Sequence, residues 1–332
     1  MRAIPEVALG LLAGSVADLC IPDPSRAHPV AGFGWVATRL EARMWKPGAL
    51  WARCAGVVYV SVLVGGAAMA TALLDRALGR VRLGRGLLMT GVTWSVLGGA
   101  SLEREARRVS EAIARGDLGD GRRHIRALVG RDPEGLDAAG LCRAAVESVA
   151  ENTADAVVAA LLWGAIAGPA GAVAYRAANT LDAMVGHRSP RYERFGWAAA
   201  RLDDLLTWAP ARLGAGLTVA LSPLVGGDRR RAWRGLQRDA SAHPSPNAGR
   251  LQAAFAGALD IRLGGPNRYE GVLEERPRIG EGRAPDPHSI AAAVQLSKLV
   301  GVVATALAAL IAWGLRRSRP ASLEDARPGP TR

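Results

Sequence analysis

Cysteine and lysine are scarce in this chain of 332 residues. Its three cysteines, Cys20, Cys54 and Cys142, stand far apart without C-x-x-C spacing, so neither a disulfide framework nor a structural zinc site is expected. Lys46 and Lys298 are the only lysines, so arginine supplies nearly all of the 42 basic residues that give a net charge of +12. These arginines are spread over every polar loop without a recognition module, which argues against a nucleic-acid partner.

Common catalytic motifs are also missing from the sequence. It holds no G-x-x-x-x-G-K-[ST], no H-E-x-x-H and no G-x-S-x-G. A P-loop ATPase, a zincin and a nucleophile-elbow hydrolase are therefore disfavoured.

Apolar residues, by contrast, make up 49% of the chain, and only 5% of all residues are aromatic. Small apolar residues suit helices in a lipid bilayer, because they let backbones approach one another closely. Arginine-rich loops separate apolar segments of about 17 to 24 residues, a length that crosses about 30 Å of hydrocarbon. The segments are residues 55–74, 87–102, 156–175, 205–225 and 290–315, with residues 4–21 as a marginal one that spans the bilayer or lies at its interface.

This pattern predicts an all-α fold, a polytopic membrane helical bundle with four to six apolar segments. Two polar inserts, residues 103–150 and 227–289, are expected on the cytoplasmic side, and the second shows no sustained strand-like alternation. Residues 1–315 are predicted to form one integral-membrane catalytic domain. Residues 316–332 are a basic, proline-rich tail that is predicted to be disordered.

The densest polar pattern covers residues 144–188. Glu147, Glu151 and Asp155 are spaced i, i+4 and i+8, so a helix places their three carboxylates on one face. Such a face is either a solvated acidic surface opposed by arginines or a site for Mg²⁺. This ion takes one or two carboxylates together with substrate phosphates.

A second polar face follows a Gly-Pro break at residues 168–171. Arg176, Asn179 and Asp182 share one side of the predicted helix, with His187 and Arg188 just beyond. Polar residues at membrane depth are costly and indicate a functional site, although His187 alone fits an interfacial histidine equally well. Three loop clusters add Asp, Arg, His or Asn beside Pro and Gly, at residues 18–34, 191–213 and 239–249.

Together these motifs resemble the CbiB/CobD family. The matching stretches occur in order over residues 5–315: DPSRAHPVAGFG, ESVAENTADAVVA, PAGAVAYRAANTLDAMVGHR, YERFGWAAARLDD and HPSPNAG followed by AAFAGAL. The resemblance implies an adenosylcobinamide-phosphate synthase, an ATP- and Mg²⁺-dependent carbon–nitrogen ligase of cobalamin biosynthesis. Members join 1-amino-2-propanol, or its O-phosphate, to the propionate carboxyl of adenosylcobyric acid. An acyl phosphate is the expected activated form, because a free carboxylate does not acylate an amine at neutral pH.

The resemblance also implies a location and a set of site residues. The cell membrane is the expected location, with several passes and the site facing the cytoplasm, and a complex with other cobalamin-assembly enzymes is compatible with it. Glu151, Asp155 and Asp182 are the predicted catalytic carboxylates and Mg²⁺ ligands, and His187, His243 or His28 would take the proton that leaves the amine. Arginine suits phosphate or propionate because its guanidinium binds both oxygens. The predicted substrate- and ATP-binding residues are Arg26, His28, Asn152, Arg176, Asn179, Arg188, Asp203, Asp204, Ser245 and Asn247.

The predicted site sets a condition on the chain's path. ATP is cytoplasmic, so the ENTAD and NTLDAM motifs should face the same side of the membrane. Only about a dozen apolar residues precede Gly168, too few to span at 1.5 Å each. Segment 156–175 is therefore predicted to enter and return, or to lie buried within the bundle.

Two other functional classes stay open. A transporter of a corrinoid or another anion would place polar residues at mid-membrane on paired broken helices, whereas this sequence shows one broken segment and no repeat. A membrane phosphotransferase acting on a lipid alcohol would repeat aspartates densely in one helix, and Asp203-Asp204 is the nearest approach to that pattern. A non-catalytic scaffold subunit fits poorly with so many ionisable groups beside apolar runs.

Overall fold

The computed structural model describes residues 6–21, 28–48, 50–130, 132–187, 189–269 and 272–317. These residues form a predominantly helical bundle, which confirms the predicted all-α class. Arg26 and Arg188 of the predicted site, and residues 318–332 of the predicted tail, lie outside the described residues. In chain order the helices are α1 (Glu6–Cys20), α2 (Pro29–Met44), α3 (Ala52–Leu78), α4 (Gly84–Val96), α5 (Gly99–Ala114), α6 (Leu118–Ile125), α7 (Ala138–Asn152), α8 (Ala159–Leu181), α9 (Trp197–Leu221), α10 (Arg229–Asp239), α11 (Ala248–Leu259) and α12 (Pro287–Arg317).

Three stretches of the described chain are long and apolar enough to cross a membrane: Ala52–Leu78, Ala138–Gly186 and Pro287–Leu315. The first and third are α3 and most of α12, whose 27 and 31 residues correspond to lengths of about 40 and 46 Å. The second joins α7 to α8 and does not run straight. The predicted segment 205–225, which forms most of α9, is not among the three.

The predicted apolar segment 87–102 is not one continuous helix. α4 ends at Val96, because Leu97 is extended (φ −72°, ψ 153°) and Gly98 is also non-helical (φ −139°, ψ 18°). Helix α5 then starts at Gly99 with a strongly amphipathic sequence. The 13 residues of α4 reach only about 20 Å, too short to span a bilayer alone.

Helices α1 and α4 run parallel at close range. A Cβ atom on Gly10 would lie 2.5 Å from the Cβ of Met89, and one on Gly14 would lie 2.4 Å from the Cβ of Thr93. The i, i+4 pair of glycines on α1 is therefore required for this contact, as in other close helix pairs of membrane proteins. At the end of α1, Asp18 is buried inside the protein, which accounts for a charge within the marginal segment 4–21.

Helix α8 folds back on itself at Gly168. Gly168 has φ 67° and ψ −158°, a conformation essentially restricted to glycine, and the following Pro169 has no N–H to continue the helix. The chain therefore returns, and a Cβ on Gly164 would lie 3.5 Å from the Cβ of Ala172. In a straight helix these positions would be about 12 Å apart. This confirms the predicted reversal of segment 156–175 and brings ENTAD and NTLDAM to the same end of the bundle.

The second polar insert folds partly as a β-hairpin, which the sequence pattern did not predict. Strand β1 (Leu263–Tyr269) pairs antiparallel with β2 (Val272–Ile279), with a register shift at Gly264 and Gly265 that interrupts any simple alternation. Oε1 of Glu147 accepts a hydrogen bond from the Gly264 N–H at 2.7 Å. Glu147, which the sequence places on one helix face with Glu151 and Asp155, thus anchors the hairpin to α7.

A buried ion pair holds α2 against the segment that follows α8. Glu41 of α2 is only 6% exposed. Its Oε1 accepts hydrogen bonds from Nη2 of Arg191 at 2.8 Å and from the Tyr192 hydroxyl at 2.7 Å. Because a buried carboxylate needs such partners, this contact determines where α2 lies relative to α8.

Candidate functional site

The reversal of α8 gathers five carboxylates from three parts of the chain. We call this group the carboxylate cluster, and it comprises Glu151, Asp155, Asp182, Asp203 and Asp204. Glu151 closes α7, and Asp155 lies in the π-helical turn Thr153–Val158 that joins α7 to α8. Asp182 opens a second π-helical turn, Asp182–Gly186, and the two remaining aspartates lie in the first two turns of α9.

Hydrogen bonds connect the second arm of α8 to α9. Nη1 of Arg176 donates to Oδ1 of Asn179 at 3.3 Å, and Nδ2 of Asn179 donates to Oδ1 of Asp203 at 3.2 Å. Arg176 and Asn179, which are spaced i and i+3, thus lie on the same side of the helix, as the sequence predicted. The structure brings together residues predicted from two separate motifs.

Negative charge dominates this region. The charges of Asp203, Glu151, Asp182 and Arg176 all act on the Asp155 carboxyl. Burial, reinforced by the negative charge of Asp182, raises the pKa of Asp203 to about 7.

The described cations near the cluster are few. Besides Arg176, the exposed Arg201 stands 3.8 Å from Asp204 at the cluster's edge. Five carboxylates close together and partly buried cost free energy unless positive charge or hydrogen-bond donors accompany them. A bound cation is one group that would supply such charge, beside the arginines of the chain.

The donor set fits Mg²⁺ in one specific way. Among the described residues, no group of three or more Asp, Glu, His or Cys side chains is arranged to hold a metal ion on its own. Mg²⁺ is usually held by one or two carboxylates together with substrate phosphates and water. One or two of Glu151, Asp155 and Asp182 would therefore suffice for an ion that arrives with a phosphate ligand, and the three do not form a complete metal cage.

The loop between α10 and α11 places Asn247 beside the cluster. Its Nδ2 donates to the backbone carbonyl of Asp204 at 2.8 Å, and the residue is 3% exposed. Its buried Oδ1 has no hydrogen-bond partner among the described residues. A buried acceptor without a donor costs about 1–3 kcal/mol, so Asn247 is well placed to accept a hydrogen bond from a ligand. Ser245, in contrast, caps α11, since its Oγ accepts from the Ala248 N–H at 3.1 Å.

The three predicted proton acceptors lie in three different surroundings. Nδ1 of His28 accepts from the Val30 N–H at 3.3 Å and caps α2. His187 is exposed, with its ring edge-on to Tyr192 at a centroid distance of 4.9 Å. Nδ1 of His243 accepts from the Ser245 N–H at 3.0 Å.

His243 lies close enough to the β-hairpin for the hairpin's charges to act on its ring. Burial lowers its pKa, and the charges that act on it come from Arg276, Glu147 and Glu274. Asn152 is directed along its own helix, where Nδ2 donates to the Ser148 carbonyl at 2.9 Å. The hydrogen bonds described for these two residues thus stay within their own segments.

Tyr175 and Thr207 also line the candidate site, although the sequence motifs did not predict them. Both are 1% exposed, and the Tyr175 hydroxyl lies 3.1 Å from Oγ1 of Thr207. The negative charges of Asp155 and Asp203 act on Tyr175. A tyrosine in an apolar helix needs a partner for its hydroxyl, and this is the signal that points to it in the sequence.

Comparisons with known proteins agree with these motifs. A family model described as CobD/Cbib protein matches residues 11–297. The cobalamin biosynthesis protein CobD of Mycobacterium tuberculosis (strain CDC 1551 / Oshkosh) is 49% identical over 313 residues, which cover 94% of this chain and 97% of that protein. The protein of the same name from Stutzerimonas stutzeri (strain A1501) is 42% identical over 306 residues, with coverage of 88% and 93%. No solved structure matches the chain.

Proposed function

The chain belongs to the CbiB/CobD family, and on that premise we propose that it is an ATP-dependent amide ligase of cobalamin biosynthesis. Its substrates would be adenosylcobyric acid, whose propionate carboxyl is activated, and 1-amino-2-propanol or its O-phosphate. The product would be adenosylcobinamide or its phosphate. The observation that carries the proposal is the carboxylate cluster beside Arg176 and Asn179, which combines sites for a cation and for an anion.

Each part of the cluster has a place in this reaction. Glu151, Asp155 and Asp182 would hold Mg²⁺ jointly with the phosphates of ATP. Bound Mg²⁺–ATP supplies the phosphoryl group that makes the propionate carboxyl reactive towards an amine, through an acyl phosphate. Arg176 would bind and orient an anionic oxygen, a task for which its guanidinium is suited.

Other groups in the site would act by positioning. Asn179 ties Arg176 to α9 through its bond to Asp203, so the cation and anion sites keep a fixed separation. Phosphoryl-transfer sites rely on such positioning and on charge stabilisation. His28, His187 and His243 remain the candidates for taking the proton of the amine.

The proposed surroundings are the cell membrane and the cytoplasm. α3 and α12 are long and apolar enough to cross a bilayer. ATP is cytoplasmic, so we place the carboxylate cluster on the cytoplasmic side. A complex with other cobalamin-assembly enzymes is part of the proposal.

The decisive experiment uses the full chain purified in detergent. It is incubated with adenosylcobyric acid, ATP, Mg²⁺ and either 1-amino-2-propanol or its O-phosphate, and the corrinoid is analysed by mass spectrometry. A corrinoid amide is expected, and its formation should stop when Mg²⁺ is chelated. No amide with either amine would refute the proposal, and corrinoid movement into vesicles would favour a transporter instead.

A matched pair of variants tests the cluster itself. Asp155→Asn should abolish amide formation, because it removes a carboxylate from the proposed Mg²⁺ site. Asp260→Asn, at an exposed position paired with Arg231, should leave activity unchanged. Full activity in Asp155→Asn would remove this residue from the metal site.

A further inference from the structure

A cleft between α2, α4 and α8 borders Arg176. The space between these helices, part of which is open solvent, is about 370 Å³. The residues that line it are Pro29, Val30 and Phe33 from α2, Ser95 and Val96 from α4, and Val173, Arg176, Ala177 and Thr180 from α8. Nothing in the predicted set of site residues, apart from Arg176, belongs to this cleft.

The walls of the cleft are apolar, with one charged group. The hydroxyls of Ser95 and Thr180 donate within their own helices, to the carbonyls of Val92 at 3.0 Å and of Arg176 at 2.7 Å. Arg176 is the only charged residue among the nine that line the cleft. Aliphatic walls with a single guanidinium match a short aliphatic chain that ends in an anion.

The same guanidinium connects the cleft to the carboxylate cluster. Through its bond to Asn179, which in turn bonds Asp203, Arg176 is linked by two hydrogen bonds to the proposed site of Mg²⁺ and phosphate. Its Nη2 would lie 3.9 Å from a Cβ on Gly98, at the break between α4 and α5. An anion held by Arg176 from the cleft would therefore lie next to the proposed phosphoryl donor.

We propose that this cleft is a substrate subsite that binds a short aliphatic anion, a carboxylate or a phosphate ester. The inference rests on the proposed function, which offers two sources for this chemistry. One is the propionate arm of the corrinoid, whose macrocycle is too large for the cleft and stays outside it. The other is the O-phosphate of aminopropanol. Val30 and Phe33 would then determine how long and how wide the bound chain is.

Equilibrium binding to the detergent-purified full chain tests the subsite without requiring turnover. Val30→Phe fills the cleft with a large side chain, and Val30→Leu fills it less. Val36→Phe is the matched control, because Val36 lies on the same helix, is 45% exposed and does not line the cleft. Dissociation constants are measured separately for adenosylcobyric acid, aminopropanol O-phosphate and Mg²⁺–ATP. Size-exclusion elution and helical circular dichroism check that each variant folds.

Val30→Phe should weaken binding of one of the two aliphatic anions about tenfold, with a smaller loss in Val30→Leu. Binding of Mg²⁺–ATP, and all binding to Val36→Phe, should stay within about twofold of the unmodified protein. Weaker binding of the phosphate ester would identify the amine as the occupant, and weaker binding of the corrinoid would identify the propionate. If both valine variants bind both anions normally, or lose Mg²⁺–ATP to the same degree, the cleft is not this subsite.

Failure of this inference differs from failure of the proposed function. If Val30→Phe weakens binding of one of the two anions as expected but the unmodified chain forms no amide, the ligase is refuted and the subsite stays in place. If the chain forms the amide but substitutions at Val30 change the binding of neither anion, the subsite is refuted and the ligase stays in place.

Discussion

Asn179 of α8 donates a hydrogen bond from Nδ2 to Oδ1 of Asp203 of α9, at 3.2 Å. The two residues come from separate motifs, NTLDAM and RLDD, that are 24 positions apart. The same amide group accepts from Arg176 through its Oδ1. Asn179 therefore holds the Arg176 guanidinium and the Asp203 carboxylate in a defined relative position. This contact is the first place to test the chemistry of the proposed site.

Replacing Asp203 by Asn should lower amide formation about a hundredfold, by removing one charge from the cluster at nearly constant volume. The new side chain still offers an oxygen to Asn179, so the fold should persist. Activity with saturating substrates and the melting temperature are measured in parallel. An active variant would show that the charge of Asp203 is not needed, and Asp260→Asn serves as the exposed control.

Gly168→Ala should destabilise the protein by about 1–3 kcal/mol, because alanine is strained at φ 67° and ψ −158°. No neighbour lies within 4 Å of the added Cβ, so the cost would come from the backbone alone. Gly216→Ala on α9 also meets no atom within 4 Å but is helical, and it should be neutral or stabilising by up to about 1 kcal/mol. Denaturant unfolding in detergent compares the two, and equal stability of both would contradict the turn.

Single cysteines at positions 152 and 182 should react with a membrane-impermeant thiol reagent from the same side of oriented vesicles. The expectation follows from the reversal at Gly168, which brings both motifs to one end of the bundle. The exposed Cys20 and Cys54 are first replaced by serine so that they do not react. Labelling from opposite sides would be incompatible with the reversal.

Arg191→Gln should lower the free energy of unfolding, because it leaves the buried Glu41 carboxylate with one donor fewer. Arg194→Gln is the control, an exposed arginine three positions further along the same segment. The measurement is the difference in unfolding midpoint between the two variants. Matching midpoints would mean that the ion pair does not hold α2 in place.

His243 should make stability depend on pH in the acidic range. Burial lowers its pKa below the ordinary 6.5, so below that pH the unfolded chain binds a proton that the folded chain resists. Stability therefore rises with pH as His243 loses its proton, and falls on acidification. In His243→Asn, which keeps an acceptor for the Ser245 N–H, this part of the pH dependence should disappear. Melting temperatures of both proteins at about pH 5 and about pH 7.5 provide the comparison.

Part of the architecture follows from composition alone. The long apolar runs of α3 and α12 predict membrane-length helices, because hydropathy and length are local properties. The reversal at Gly168 was also predictable, since Gly-Pro in a short apolar run leaves too few residues to span. The end of α4 at Val96 was not predicted, although the pair Gly98-Gly99, which follows Leu97, is a turn signal in the sequence.

The β-hairpin was not predicted either. Its register shift at Gly264 and Gly265 removes the regular alternation on which strand prediction depends. The role of Glu147 in anchoring the hairpin was likewise not predicted, since its partner, the Gly264 N–H, is 117 positions away. Helical spacing correctly described which carboxylates share a face, but not which of them another element would bind.

By itself, the sequence determined the helical class and the family and supplied the candidate polar residues of the site, because these depend on local spacing and residue type. Only the tertiary structure decided which of these residues act together. It brought Asp155 and Asp182 close to Asp203 and Asn179, used Glu147 to anchor the hairpin, and placed His243 where the hairpin's charges act on it. The physical reason is that such groupings arise from packing between distant segments, whose free energy depends on buried area and hydrogen bonds that no local pattern records.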